Sequence, residues 1–94
     1  MPFYTYMLAN KPFGAIYVGH TDDLIKRVYE HKNHLTSGFT DTYDVTFLVW
    51  YEQHDTREAA FQRERRLKHW NRNWKIDLIN AFNPAWRDLY EDLF

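Results

Sequence analysis

Two hydrophobic periods alternate along the chain and divide it into strands and helices. Short aromatic or apolar runs without helix-capping residues are typical of strands. Apolar residues spaced three or four apart after a capping residue are typical of helices. The pattern predicts strands over residues 3–10, 15–20 and 45–54, and helices over residues 21–35, 55–70, 74–82 and 83–94.

The connections between these segments set the expected architecture. The turn at residues 11–14 is short enough to join the first two strands as an antiparallel hairpin. A loop at residues 36–44 leads to strand 45–54, which is apolar enough to lie centrally in a sheet. The order β-β-α-β-α-α(-α) predicts an α+β fold with a small, three-stranded, mostly antiparallel sheet flanked by helices. Because no repeat or linker interrupts it, residues 1–94 are expected to form a single domain.

Capping residues mark where three of the helices are expected to begin. Side-chain oxygens of Ser, Thr, Asp and Asn accept hydrogen bonds from the free N–H groups of a first helical turn. Proline suits the position after such a cap. The candidate caps are Thr21 or Asp22 for the first helix, Asp55 with Glu58 for the second, and Asn83 before Pro84 for the last.

Composition excludes several classes of site and location. The chain has no cysteine, which rules out disulfides and thiolate metal sites and fits a reducing compartment. No apolar run approaches the roughly 20 residues of a membrane span. The first ten residues lack the basic region and cleavage pattern of a signal peptide. We therefore expect a cytoplasmic protein that does not enter membranes.

Charge is unevenly distributed although the net charge is only −1. Residues 57–75 carry seven Lys and Arg against two acids, a net +5, whereas residues 76–94 carry a net −3. A basic block beside an acidic tail can attract phosphate on one side of the molecule. A solvated helix face is the alternative interpretation, and charge alone does not decide between the two.

The first helix places polar residues on its apolar face. At about 100° per residue, His31 falls about 20° from Leu24, and Arg27 lies about 60° from it, at the margin of the apolar stripe. A buried arginine must be paired or must face a polar cavity. Pairing of Arg27 with a carboxylate at the sheet edge, and of His31 with a backbone carbonyl, remains open.

Glu64 poses the same question on the second helix, where it falls inside an apolar arc widened by Phe61. Arg63 lies in that arc too, so helical geometry does not single out Glu64. A carboxylate there costs several kcal/mol unless it meets a cation or a metal. An ion pair with Arg27 is one solution. A hard divalent cation, with phosphate completing its ligand shell, is another.

Tyrosines on the first two strands have two interpretations. Tyr4 and Tyr6 share one strand face and Tyr17 lies near the end of the next strand, positions where tyrosine usually packs. A free phenol titrates near 10, so a tyrosine base needs help from nearby cations or from a metal-bound water. The candidate cations are Lys26, Arg27 and His31.

The ordered set of these residues resembles a known family. YTYML (residues 4–8), YVG (residues 17–19), Arg27, His31 and the later Glu64 together resemble the GIY-YIG nuclease domain, over nearly the whole chain. The runs RERRLKHW and NPAWRDL are similar to those of its small stand-alone bacterial members. The first motif departs from the family pattern, because Tyr4 replaces the leading glycine.

The resemblance implies a phosphodiesterase that uses one divalent cation, Mg²⁺ or Mn²⁺. By that similarity Tyr17 would activate water, Arg27 would stabilise the transition state and Glu64 would hold the cation. His31 would assist proton transfer or contact phosphate, and Tyr6 would orient water or phosphate. In-line displacement at phosphorus needs such a nucleophile, cation and leaving-group stabiliser.

The family often has a late asparagine in its site, for which Asn83 is the candidate and Asn80 the rival. The resemblance also points to a nucleic-acid partner, DNA in preference to RNA, and leaves a second copy of the chain or another protein open. The residues expected to bind nucleic acid are Lys26, Arg27, Arg63, Arg66 and Lys68.

Three functions compete at this point. The first is a metal-dependent endonuclease that acts in repair or in processing of damaged, branched or foreign DNA. The second is a nucleic-acid-binding module of the same fold with little or no catalysis, suggested by the weak overall charge. The third is a protein-interaction domain that docks through the apolar tail at residues 86–94.

Overall fold

The computed structural model describes residues 2–36 and 38–94. Met1 and Ser37, which belong to the predicted domain and the predicted loop 36–44, lie outside the described residues. The expected order of elements is present with one addition, the single-turn helix α2. The elements are β1 (Phe3–Ala9), β2 (Ile16–Thr21), α1 (Leu24–Lys32), α2 (Phe39–Thr42), β3 (Phe47–His54), α3 (Arg57–His69), α4 (Arg72–Phe82) and a C-terminal 3₁₀ turn (Tyr90–Leu93).

The sheet has the order β2-β1-β3, and both strand pairs are antiparallel. This confirms the predicted α+β fold with a small three-stranded sheet. The prediction that strand 45–54 lies centrally is wrong, because β1 is the central strand. The apolar character of β3 has a different cause. Its side chains are buried on both faces of the sheet, with Val49 and Trp50 in one core and Leu48 in the other.

The sheet separates two hydrophobic cores. On one face, Met7 of β1 packs with Leu67 of α3 and Ile79 of α4. On the other face, Tyr6 and Leu8 of β1 pack against α1. Alternation along β1 produces this division, because successive strand side chains point to opposite faces. Helices therefore pack on both faces of one sheet. The single domain over residues 1–94 stays a prediction.

The segment after α4 covers the outer edge of β3. Asp88 Oδ1 accepts a hydrogen bond from Leu48 N–H at 3.1 Å, and Leu89 N–H donates to the Leu48 carbonyl at 2.8 Å. The prediction of a helix over residues 83–94 is wrong for this reason. The backbone there hydrogen bonds to β3, so only the short 3₁₀ turn forms. Trp86 and Leu89 are buried in the two cores.

Two helix starts differ from the predicted caps, and the third predicted cap does not begin a helix. Asp23, rather than Thr21 or Asp22, caps α1 by accepting from Lys26 N–H. Thr56, rather than Asp55, caps α3, and Asn71 caps α4. Asn83 is at the other end of a helix than expected, because it follows the last residue of α4. The helix α1 also ends at Lys32, three residues before the predicted end.

Candidate active site

The two motif tyrosines lie side by side on the sheet face that packs against α1. Tyr6 pairs with Gly19 across β1 and β2, and its ring centroid is 6.3 Å from that of Tyr17. A Cβ atom at Gly19 would lie 2.5 Å from Tyr6 Oη and 3.0 Å from Tyr17 Cε2. Glycine is therefore required here by the close approach of both rings. The register of β1 and β2 brings Gly19 next to the Tyr6 hydroxyl.

His31 reaches this pair of tyrosines from α1. Its Nε2 lies 3.3 Å from Tyr6 Oη, and its ring centroid is 5.4 Å from that of Tyr17. Its Nδ1 lies 3.0 Å from Thr40 Oγ1, on α2. His31 is buried, as its position on the apolar stripe predicts. Within residues 2–36 and 38–94, no backbone carbonyl bonds to the ring as the sequence had left open, and the side chains of Tyr6, Thr40 and Thr36 contact it instead.

The surroundings shift the acid–base properties of both groups. Burial raises the pKa of Tyr6 above its ordinary value; Tyr17 and Glu64 add to the rise, and Arg27 opposes it. Burial also lowers the pKa of His31, and the positive charge of Arg27 lowers it further. At neutral pH Tyr6 is therefore a protonated phenol and His31 a neutral imidazole.

Arg27 borders the tyrosines from α1 and keeps a solvent-exposed face. Its Nε donates to Glu30 Oε1 at 3.1 Å, and 43% of its side chain is exposed. Burial lowers the pKa of Arg27, but Tyr6 and Glu30 together raise it above the ordinary value. The guanidinium is thus held at Nε by Glu30 and interacts with the Tyr6 hydroxyl, while its exposed face remains open to an anion.

Glu64 lies on α3 and faces β2. Its Oε1 is 2.7 Å from His20 Nδ1, and its Oε2 is 2.9 Å from Lys68 Nζ. In the described part of the chain these two pairs replace the Glu64–Arg27 ion pair that the sequence left open. The carboxylate nevertheless acts on the phenol of Tyr6, whose pKa it raises.

A divalent cation in this site would have Glu64 as its protein ligand. Within residues 2–36 and 38–94, no group of three or more His, Cys, Asp or Glu side chains could hold a metal ion. One carboxylate suffices for Mg²⁺ where water and phosphate oxygens complete the shell. Glu64 fits this arrangement because Lys68, which holds its second oxygen, is half exposed and can swing away.

The residues expected to bind nucleic acid occupy different surroundings. Lys26 is exposed on α1 beside Arg27, and Arg66 is exposed on α3. Lys68 is paired with Glu64. Arg63 instead donates from Nε to Glu52 Oε1 at 3.0 Å, and its guanidinium lies over two tryptophan rings at 5.4 and 5.9 Å. The positive charge of Arg63 is therefore already paired within the fold, with Glu52.

Neither candidate asparagine contacts the tyrosines in the described structure. Asn83 Nδ2 donates to the carbonyls of Val49 and Arg87, at 3.2 and 2.8 Å, and its Oδ1 accepts from Arg87 N–H. Asn80 Oδ1 accepts from Trp86 Nε1 at 2.6 Å. Both amides hold the segment after α4 in place.

Two residues of the site were not found from the sequence. His20 follows the YVG motif, and strand alternation places it on the same face as Val18, under α3. That alternation, combined with the unpaired Glu64 on the apolar arc of α3, was the available signal. Thr40 carried no signal, because it lies in a segment predicted to be a loop.

Comparison with known proteins agrees with this geometry. Residues 2–77 match the family model described as the GIY-YIG catalytic domain. A UPF0213 protein of Staphylococcus saprophyticus is 32% identical over 77 residues, which cover 82% of this chain and 93% of that protein. A UPF0213 protein of Staphylococcus aureus is 30% identical over 66 residues, or 70% of this chain and 80% of that one.

A solved structure shares the architecture. The solution NMR structure of a UPF0213 protein from Bacillus halodurans has a TM-score of 0.53 and 27% identity, and the match covers 86% of this chain and 85% of that one. The resemblance found in the motifs is therefore confirmed. The chain belongs to the GIY-YIG family, a family of nucleases that act on nucleic acids and generally depend on divalent metals.

Proposed function

We propose that this protein is a divalent-metal-dependent endonuclease that hydrolyses DNA in repair or in the processing of damaged, branched or foreign DNA. One observation carries the proposal. The Tyr6 phenol lies 3.3 Å from His31 Nε2 and beside the ring of Tyr17, so residues of β1, β2 and α1 meet on one face of the sheet, within the electrostatic influence of Arg27 and Glu64.

The scissile phosphate would bind beside Arg27. Its guanidinium is held at Nε by Glu30 and is partly exposed, so its remaining N–H groups can donate to phosphate oxygens. Charge builds up on those oxygens in the transition state. A fixed cation lowers the barrier because its attraction to these oxygens increases as their negative charge develops.

Proton transfer would involve the tyrosines and His31. Tyr6 is fully buried, keeps its proton and bonds to His31, so it would orient the imidazole beside the attacking water and would not itself contact the phosphate. Tyr17 is only partly buried and would accept the proton of the attacking water. His31 is neutral and adjacent to both rings, so it can accept a proton that leaves them.

Glu64 would hold the cation on the side of the leaving oxygen. When bound, Mg²⁺ or Mn²⁺ supplies positive charge that stabilises this oxygen. His20 would keep one carboxylate oxygen in a fixed direction through its 2.7 Å contact. Lys68 would move from Glu64 to phosphate as the cation binds.

Affinity for DNA would come from a small number of cations. Of the basic segment 57–75, Arg57 pairs with Asp22, and Arg63 is held inside the fold. Of the five residues expected to bind nucleic acid, Lys26, Arg27, Arg66 and Lys68 remain for contact with phosphates. We therefore expect weak binding that decreases as the salt concentration rises.

None of the helices within residues 2–36 and 38–94 is long and apolar enough to cross a membrane. The cytoplasmic location stays a prediction.

A cleavage panel tests the proposal. Purified protein is incubated with single-stranded, duplex and branched DNA, with matched RNA, and with Mg²⁺, Mn²⁺ or EDTA. We expect metal-dependent cleavage that is lost in Glu64→Gln and Arg27→Ala. The matched control is Glu58→Gln, an exposed carboxylate on the same helix. Equal trace cleavage by wild type and Glu64→Gln on every substrate would refute the nuclease.

A nucleic-acid-binding module without catalysis is the second candidate. The observation in its favour is that both oxygens of Glu64 are already paired, with His20 and Lys68. Binding of DNA that needs no metal and persists in Glu64→Gln, without cleavage, would favour it. The third function loses its basis, since Trp86 and Leu89 of the apolar tail are buried in the cores.

A further inference from the structure

Thr40 is buried behind His31 although it lies between two strands in a segment without apolar periodicity. It belongs to the single turn α2, and its carbonyl accepts a hydrogen bond from Val45 N–H at 2.9 Å. Val45 is itself buried in the core that contains Tyr6. The Thr40 hydroxyl is thereby anchored 3.0 Å from His31 Nδ1.

The hydroxyl proton of Tyr6 determines which atom donates in the contact between His31 and Thr40. Tyr6 has no exposed surface, so its hydroxyl proton needs an acceptor inside the protein. Arg27 is a donor only. Among the residues described, the acceptor in contact is His31 Nε2, at 3.3 Å. A neutral imidazole that accepts at Nε2 carries its hydrogen on Nδ1, which then donates to Thr40 Oγ1.

Thr36 extends the same chain toward the surface. Its Oγ1 lies 3.1 Å from Thr40 Oγ1 and 3.3 Å from His31 Nδ1. It is only half buried, and its contact with the imidazole is longer than that of Thr40. The Thr40 hydroxyl can donate its own hydrogen to Thr36 while it accepts from the imidazole. Every polar atom in this chain is then satisfied.

We propose that Thr40 is a positioning residue, which holds His31 in the Nδ1–H tautomer so that unprotonated Nε2 faces Tyr6. The catalytic consequence rests on the proposed nuclease function, whereas the tautomer itself does not. Replacing the hydroxyl by a methyl group leaves Nδ1–H without its nearer acceptor. The Nε2–H tautomer then becomes favourable, and it removes the acceptor that Tyr6 requires.

Nitrogen-15 NMR of the full-length protein reads the tautomer directly, through the distinct shifts of protonated and unprotonated imidazole nitrogens. The His31 signals are assigned by their loss in His31→Asn. We expect Nδ1–H in the wild type and in Thr40→Ser, and a shift toward Nε2–H in Thr40→Val. Thr42→Val, an exposed threonine on the same turn, is the matched control and should match the wild type.

Cleavage measured in parallel should fall roughly 10- to 100-fold in Thr40→Val, by analogy with loss of the partner that orients a metal-bound histidine, and should recover in Thr40→Ser. Wild-type His31 in the Nε2–H form would overturn the proposal, and so would an unchanged tautomer in Thr40→Val. If the His31 tautomer changes in Thr36→Val and not in Thr40→Val, the positioning residue is Thr36 and the proposal for Thr40 is overturned. Normal cleavage with an altered tautomer would exclude a part in catalysis.

These outcomes remain distinct from failure of the nuclease proposal. If the wild type cleaves no substrate, the proposed function fails, and the NMR measurement still decides the role of Thr40. If Thr40→Val does not fold, the wild-type and Thr40→Ser spectra decide it. Both must then show Nδ1–H.

Discussion

His20 Nδ1 on β2 lies 2.7 Å from Glu64 Oε1 on α3, although the two residues are 44 positions apart. The imidazole is itself supported by Phe61, whose ring centroid is 5.4 Å away. A carboxylate held in this way presents one oxygen to the strand and leaves the other directed elsewhere. The pair therefore sets the direction in which Glu64 can bind a cation.

Replacement of His20 should weaken metal binding without removing it. In His20→Phe the carboxylate loses its fixed hydrogen bond, and we expect the Mg²⁺ concentration for half-maximal cleavage to rise roughly 10- to 100-fold. Metal titration of the cleavage rate measures this. His69→Phe, on the exposed part of α3, is the control. An unchanged Mg²⁺ requirement in His20→Phe would contradict an orienting role.

Gly19→Ala should damage the site and the fold together. The new Cβ would lie 2.5 Å from Tyr6 Oη and 2.7 Å from its Cζ, in the fully buried interior, so one ring or strand must move. Overpacking of this kind costs about 1–3 kcal/mol in the free energy of unfolding, which urea denaturation measures. Tyr6→Phe removes the nearest atom and should recover part of the loss. Strict additivity of the two substitutions would argue against this clash.

Asn83→Ala should lower stability and leave cleavage by the folded protein unchanged. Its side chain joins the end of α4 to the Val49 and Arg87 backbone, and loss of buried hydrogen bonds costs about 1–3 kcal/mol. Urea denaturation and single-turnover cleavage well below the melting temperature separate the two effects. Asn73→Ala, exposed on α4, serves for comparison. A loss of rate at full stability would instead place Asn83 in the site.

Stability should depend on pH through His31. Burial and Arg27 lower the pKa of His31, so the folded protein binds fewer protons than the unfolded chain. Its contribution is fully present above the ordinary value of 6.5 and is lost as pH falls below it. The free energy of unfolding should therefore fall more steeply in the wild type than in His31→Asn on the acidic side of 6.5. Parallel curves for the two proteins would show that His31 is not protected from protonation.

Local periodicity predicted the parts of the site that each lie on one element. The burial of His31 follows from its angle on α1, whereas Tyr6 and Tyr17 were identified as site residues by the resemblance of their motifs to the GIY-YIG family. The carboxylate of Glu64 was recognised as needing a cation. Which cation it meets depends on how α3 crosses the sheet, and no local pattern contains that information. The pairing with His20 was therefore not predicted, although alternation along β2 places His20 on the face under α3.

The predicted central position of strand 45–54 is wrong for a related reason. Hydrophobicity reports how much of a strand is buried, whereas it does not report which neighbours bury it. In β3, Leu48 and Val49 are buried by side chains above and below the sheet, and Leu48 also hydrogen bonds to Asp88 at the edge. A covered edge strand therefore has the same pattern as a central strand. The helical appearance of residues 83–94 misled for the same reason, since their backbone bonds to β3.

The hydrogen bonds that Leu48 forms with Asp88 and Leu89 also determine the shortest segment that can be fused to another protein as an intact domain. The match to the family model stops at residue 77, before either of these residues. A chain cut there would keep the tyrosines, Arg27, His31 and Glu64 but would leave the β3 amides open to strand addition by a second molecule. We expect such a fragment to self-associate. A version of this GIY-YIG domain that can be fused to another protein therefore has to extend through the 3₁₀ turn at Tyr90–Leu93.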